Sequence, residues 1–484
     1  MNINVSKKAL LVVGLLLLTI VALLALRNCS SPSPDMEVWP TPTPTAAPRS
    51  WWDQAAASTR PAVEPTSTAE HPAPTETAVP TPTATPASSS SSEWWGSGEA
   101  TSTPAVPAIT ATSPPGPETP KPTPPPIAAA PAFRLAQPAY GINAALLVEP
   151  AIRRRALDRV TEMGFNWVKL QIRWLDFEGD GKGQYGQPLA WLDDAINDAH
   201  GRGINVLLTV VAAPDWARAP GTSGVAPPAN PEDYADFIAF LAARYQGKVQ
   251  AFEVWNEQNL AREWGGRGRL SVSQYMALLR ATYNRLPADV AVISGGLTPT
   301  GTDDGFTAIA DRRYLQEMYA AGLAGVTDGI GAHASGYNMP PFADWRNPPQ
   351  EQCQVFTHSC TNPHPSWVFQ ATLLDYRGIM VAHGDGQKQI WVTEFGWASC
   401  EGGYNTVPGY EYCEDNTAWE QGERLREAYV GVRERGWDWI GVMFAWNLNF
   451  GELNGPASEM SAFSILDLNG NPRHAFEALK GMPK

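Results

Sequence analysis

Two glutamates stand out from the 484-residue chain because each closes a short apolar run of strand character. Glu257 ends Phe252-Glu-Val-Trp-Asn-Glu257, and Glu394 ends Ile390-Trp-Val-Thr-Glu394, which continues Phe-Gly-Trp397. Two carboxyl groups brought to about 5 Å across one cavity divide the work of opening an acetal. One attacks the acetal carbon while the other protonates the departing oxygen. Neither glutamate does this alone, so the elements that carry them decide whether the pair exists.

Those elements repeat eight times after Phe133. Strands are predicted at 140–144, 167–174, 205–212, 249–255, 290–296, 329–333, 389–394 and 440–446. Helical segments alternate with them at 152–163, 189–200, 231–245, 272–286, 312–321, 366–383, 417–435 and 475–480. Alternating β and α elements demand parallel strands with right-handed crossovers. Eight units suit a closed (β/α)8 (TIM) barrel, and the first turn, Gly141-Ile-Asn-Ala, lacks the glycine-rich phosphate loop that an open dinucleotide-binding sheet would show. In such a barrel the chemistry gathers at the C-terminal ends of the strands. Glu257 and Glu394 then fall at the ends of strands four and seven, facing each other.

With that placement, Trp255-Asn256-Glu257 and Thr393-Glu394-Phe-Gly396 together resemble the paired signature of glycoside hydrolase clan A. The resemblance covers residues 134–484, and the stretch from Gly203 to Trp216 is most similar to families 5 and 39. It implies a retaining O-glycosyl hydrolase of β-linked glycans, cellulase-, mannanase- or xylosidase-like, with Glu257 as acid/base and Glu394 as nucleophile. By the same resemblance Asn256 binds the sugar 2-hydroxyl, and Arg173 lies beside Glu394 and keeps it ionised. His333 and Tyr337 match the clan's His-x-Tyr at a longer spacing, and Trp446 forms the floor under the reacting sugar, with Trp216 and Trp397 as further stacking platforms. Strand three departs from the family 5 pattern, since Ala-Ala-Pro214-Asp stands where many of those enzymes carry a histidine and a polar neighbour. No metal or organic cofactor is implied. Two other functions fit the same motifs: a catalytically silent glycan-binding module and a transglycosylase.

The rest of the chain bounds the setting. Lys7 and Lys8 precede an apolar run at 9–26, about the 18 to 20 residues that span a hydrocarbon core, so residues 1–29 read as a cytoplasmic stub and signal anchor, with a cleaved signal peptide as the alternative. Residues 30–133 are dominated by Pro, Thr, Ser and Ala and cannot bury a core, which predicts a disordered, extended spacer. The expected location is the cell membrane, single-pass, with an extracellular and monomeric catalytic domain of residues 134–484; cleavage would make it secreted. A net charge of −14 and the lack of a basic stripe exclude a nucleic-acid partner. Of five cysteines, Cys29 is juxtamembrane. The others read as two short-range disulfides for an oxidising compartment, Cys353 with Cys360 and Cys400 with Cys413. A zinc site of Cys353, His358, Cys360 and His364 is the rival reading for the first pair.

Overall fold

A computed structural model describes residues 133–348 and 363–484. Eight parallel strands close into a barrel in sequence order: β1 (Ala139–Asn143), β2 (Trp167–Arg173), β3 (Asn205–Val211), β4 (Ala251–Val254), β5 (Ala291–Ser294), β6 (Gly329–His333), β7 (Gln389–Phe395) and β8 (Ile440–Ala445). Between and after them run α1 (Pro150–Glu162), α2 (Trp174–Phe177), α3 (Pro188–His200), α4 (Pro231–Arg244), α5 (Val272–Arg285), α6 (Asp311–Ala320), α7 (Phe369–Ala382), α8 (Ala418–Glu434), α9 (Phe450–Asn454) and α10 (His474–Gly481). Among the described residues no helix is long and apolar enough to cross a membrane. The apolar run at 9–26, the Pro/Thr/Ser spacer and the Cys353–Cys360 pair lie outside the described residues.

The strands are buried on both faces, as expected when helices cover a parallel sheet. Their outward residues pack the helices, while the inward ones fill the barrel in layers. The lowest layer is apolar: Trp167, Leu207, Ala251, Ile293, Trp391 and Phe444 form one cluster, and Phe133 and Leu135 pack against it. One pleat higher, the period of two brings Lys169, Thr209 and Glu253 inward, each fully or almost fully buried. The Lys169 ammonium lies 3.0 Å from the Glu253 carboxylate. Leaving either one unpartnered would strand a buried charge at a cost of about 3–5 kcal/mol.

Helix starts carry the caps that their sequences promise. The Asn230 side chain accepts from the Glu232 amide, Ser271 accepts from Gln274, and Thr417 with Glu420 makes a reciprocal capping box. Three helix tyrosines then fasten strand ends where neighbouring strands splay. Tyr234 on α4 donates to the Val210 carbonyl and accepts from the Trp255 amide. Tyr275 on α5 links Val254 to Gly295 in the same way, and Tyr429 on α8 links Gly141 to Ala445. Each phenol satisfies a donor and an acceptor that the widening barrel would otherwise leave unpaired. The ends of β4, β5 and β8 are thereby held in place.

Candidate active site

Glu257 and Glu394 meet at the C-terminal mouth of the barrel, lining a cavity of about 510 Å³. The chain beyond β4 turns sharply. Trp255 and Glu257 have φ of 70° and 47°, a left-handed conformation that costs non-glycine residues energy and recurs where function fixes geometry. On the far side a register shift between Ala332 and His333 sets His333 directly against Glu394 of β7. The bulge re-aims the imidazole into the mouth. Gly296 makes room for it, because a Cβ there would lie 2.4 Å from the His333 ring.

The imidazole stands between the two carboxylates. His333 Nδ1 donates to Glu257 Oε1 at 3.0 Å and lies 3.6 Å from Glu394 Oε2. One oxygen of each glutamate and a nitrogen of the imidazole lie within 4.8 Å of one another. The outer carboxylate oxygens face cations instead: Lys169 Nζ is 2.9 Å from Glu394 Oε1, and Arg262 Nη2 is 3.2 Å from Glu257 Oε2. Both glutamates are nearly covered, with side chains 12% and 13% exposed. A Glu–His–Glu trio at this spacing could grip a divalent cation, but Lys169 and Arg262 already offset the carboxylate charge. The arrangement therefore suits proton and nucleophile chemistry better than coordination.

Charge follows from these contacts. Burial pushes the Glu257 carboxyl up, yet the His333 hydrogen bond and charge, with Arg262 behind it, hold it well below the usual carboxylate range. His333 moves the opposite way, since burial lowers it but Glu394 and Glu257 raise it above its ordinary value. The two groups share one proton, carried on the imidazole. Glu263, also in the cavity wall, is pushed up to about 7 by burial and by the charge of Glu257.

Other predicted residues divide into those in the cavity and those outside it. Asn256, Tyr337 and Trp446 line it. Asn256 Oδ1 is 3.5 Å from Lys169 Nζ, and Tyr337 stands edge-on to Tyr412 and Trp367. Arg173 is a correction: it pairs with Asp176 at 3.3 Å, two residues above Gln171 on the same strand phase, and Lys169 is the cation at Glu394. Trp216 is a second correction, because its indole donates to the Glu178 carbonyl and packs edge-on against Trp174 rather than in the cavity wall. Trp397 is a third: it is fully buried, donates to the Met339 carbonyl and serves as core.

Cys400 and Cys413 form a disulfide with Cα atoms 5.1 Å apart. It closes the loop that brings Pro408, Gly409, Tyr410 and Tyr412 to the cavity. His364, proposed as a zinc ligand, accepts from the Ser366 amide at 3.2 Å and caps the turn Pro365–Trp367. Lys169, Glu253, Arg262 and Glu263 went unnoticed in the sequence. For the first two a signal was there, since Lys169 is two residues from Trp167 and Glu253 two from Ala251 on inward strand phases. Arg262 and Glu263 sit in an irregular loop that has no period to read.

The closed barrel, with two glutamates at the ends of β4 and β7, places the chain among (β/α)8 proteins of an architecture it shares with solved glycoside hydrolases. In particular, it is similar to a family 39 glycoside hydrolase from the gut symbiont Bacteroides cellulosilyticus, at 18% identity and a TM-score of 0.52 over 71% of this chain and 63% of that one. An exo-β-1,4-mannosidase from an Opitutaceae bacterium is similar at 17% identity and a TM-score of 0.45, over 72% of this chain and 60% of that one. A family 39 β-xylosidase from Caulobacter crescentus matches at 17% identity and a TM-score of 0.45, over 73% and 72%. The chain thus spans less than two thirds of the first two proteins. No family model matches the sequence, and no curated protein matches it. At 18% identity and a TM-score of 0.52, the likeness to the Bacteroides cellulosilyticus protein bears on the fold alone.

Proposed function

We propose that this protein is a retaining glycoside hydrolase that cleaves β-linked glycans by double displacement. The observation that carries the reading is the approach of Glu257 and Glu394, one oxygen of each lying within 4.8 Å of the other beside the His333 imidazole. Carboxyl groups of inverting enzymes stand about 6.5–9.5 Å apart to admit a water, whereas those of retaining enzymes stand near 5 Å. Glu394, backed by the Lys169 ammonium, attacks the anomeric carbon. Glu257 delivers a proton to the leaving oxygen, drawing on the proton it shares with His333, and then takes one from the incoming water. Asn256 is placed beside Glu394 to bind the neighbouring hydroxyl, and Trp446 offers an apolar face to the sugar ring.

A 2-deoxy-2-fluoro glycoside with a good leaving group tests the mechanism. Its glycosyl-enzyme intermediate should accumulate and appear as a mass increment on the peptide containing Glu394. A label on another residue would remove Glu394 from the nucleophile's role, and turnover without any label would remove the double displacement.

The shared proton has its own consequence for pH. Because His333 holds it above the ordinary histidine value of about 6.5, the basic limb of kcat/KM on a poor leaving group should lie above that pH. In His333→Asn the proton must reside on Glu257 itself, so the limb should move down by about one unit or more. An unmoved limb in pH–rate profiles would separate His333 from the proton.

Outside the described residues, the apolar run at 9–26 and the Pro/Thr/Ser spacer support a tethered, extracytoplasmic enzyme. A disulfide at Cys400 and Cys413 is compatible with an oxidising compartment.

A further inference from the structure

Directly beneath the two glutamates lies a third carboxylate that the proposed mechanism does not use. Glu253 is wholly buried, and two of its contacts lead toward the site. Its Oε2 accepts from Thr209 Oγ1 at 2.5 Å and lies 3.0 Å from Lys169 Nζ. Lys169 in turn reaches Glu394 Oε1 at 2.9 Å. The other oxygen, Oε1, accepts from the Gly296 amide at 3.0 Å, and the Gly296 carbonyl accepts from the Glu257 amide at 3.0 Å. One side chain therefore reaches the proposed nucleophile through an ammonium and the proposed acid/base through a single residue, Gly296.

We infer that Glu253 is a positioning residue that sets the charge felt by Glu394 by taking up part of the Lys169 cation, and that steadies the backbone at Glu257. This inference rests on the roles assigned above to Glu394 and Glu257. Electrostatics favours it over simple packing. A Lys169 paired with Glu394 alone would hold that carboxylate in a tight ion pair, favouring its resting charge and blunting its attack. With Glu253 as a second partner the ammonium is shared between two anions, and Glu394 keeps more of its charge for the anomeric carbon. The Glu253 carboxylate stays ionised although burial opposes it, because Lys169, His333, Thr209 and Thr393 favour the charged form. An apolar residue of similar size would fill the same space but would take the acceptor from the Gly296 amide and the Thr209 hydroxyl, and one of its two anions from the Lys169 ammonium.

Opposite charge changes on one axis test this. Glu253→Gln keeps an oxygen for the Gly296 amide and gives up only the charge, so kcat should fall about 10- to 100-fold with KM within about twofold. Its acidic limb of kcat/KM should shift to lower pH. Lys169→Met should shift that limb to higher pH. The other ionisable groups around Glu394 and Glu253, namely His333, Glu257, Arg262, Glu263, Tyr234 and Tyr275, are unchanged in both. In the Lys169→Met background, Glu253→Gln should leave the limb where Lys169→Met put it, since the effect passes through the ammonium. Equal shifts in the two backgrounds, or an unmoved limb in every soluble variant, would overturn the inference. Should Glu253→Gln alone fail to fold, comparison of Lys169→Met with the double variant still decides, because a further shift in the double variant contradicts the relay. If Glu394→Ala proves inactive while the limbs stay fixed, only this inference falls; if Glu394→Ala stays active, the reading beneath it falls first.

Discussion

Glu394→Ala is expected to lower kcat/KM on an activated aryl β-glycoside by about 10⁴-fold or more, because the residue forms the covalent bond and no neighbour can replace it. The physical setting allows a rescue. Truncation leaves a hole beside Lys169 and His333, two groups that attract an anion. Added azide should enter it, attack the anomeric carbon and yield a glycosyl azide of inverted configuration. The two variables to follow are aryl release against azide concentration and the anomeric form of the product. A Glu394→Ala enzyme with ordinary turnover and no azide dependence would sink the assignment. Loss without rescue would show that the hole is closed or that Glu394 acts otherwise.

Glu257→Ala is expected to show the second-largest effect, and its size should depend on the substrate. A phenol with strongly withdrawing substituents departs without a proton, so bond cleavage should slow by about tenfold or less. A sugar or alkyl leaving group needs the proton, and the loss there should reach about 10³- to 10⁴-fold. The measurement is a series of aryl glycosides of graded leaving-group acidity, with wild type and variant giving lines of different slope. Parallel lines would deny Glu257 the acid role. The resting site makes this test informative, since His333 holds the shared proton one hydrogen bond away at 3.0 Å. An imidazole able to deliver it without Glu257 would flatten the variant's slope toward that of the wild type.

Much of the architecture was legible in the chain because its information is periodic. Strand residues such as 205–211 are apolar apart from Asn205 and Thr209, as suits parallel strands buried on both faces, and α4 announces itself by Asn230 at its cap and Tyr234, Phe237, Ile238 and Leu241 on one buried face. The eight strands fell within about two residues of their observed ends for the same reason. The glutamates were legible because each interrupts an apolar strand end with a charge that a structural role would not explain.

The depth of a residue in the barrel was decided only by the fold. Arg173 and Lys169 lie on the same phase of β2, and a period of two cannot tell which pleat is level with Glu394. Closure of the barrel decides that, through a register set by every strand around the ring. The tryptophans divided in a similar way. Trp446, Trp397 and Trp216 all follow strand ends, but only loops packed by tertiary contacts determine whether an indole faces a cavity or fills core. Glu253 shows the limit most plainly, since a carboxylate inside a hydrophobic strand becomes intelligible only when Lys169 from another strand is seen 3.0 Å away. By itself the sequence determined a (β/α)8 barrel and the two glutamates at its mouth, because local pattern suffices for both. The Cys400–Cys413 disulfide, 13 residues apart, was readable from its short spacing, and His333 was named from its motif; the cations that tune the glutamates and the seat of the imidazole between them depended on contacts between residues distant in the chain, which only the closed barrel brings together.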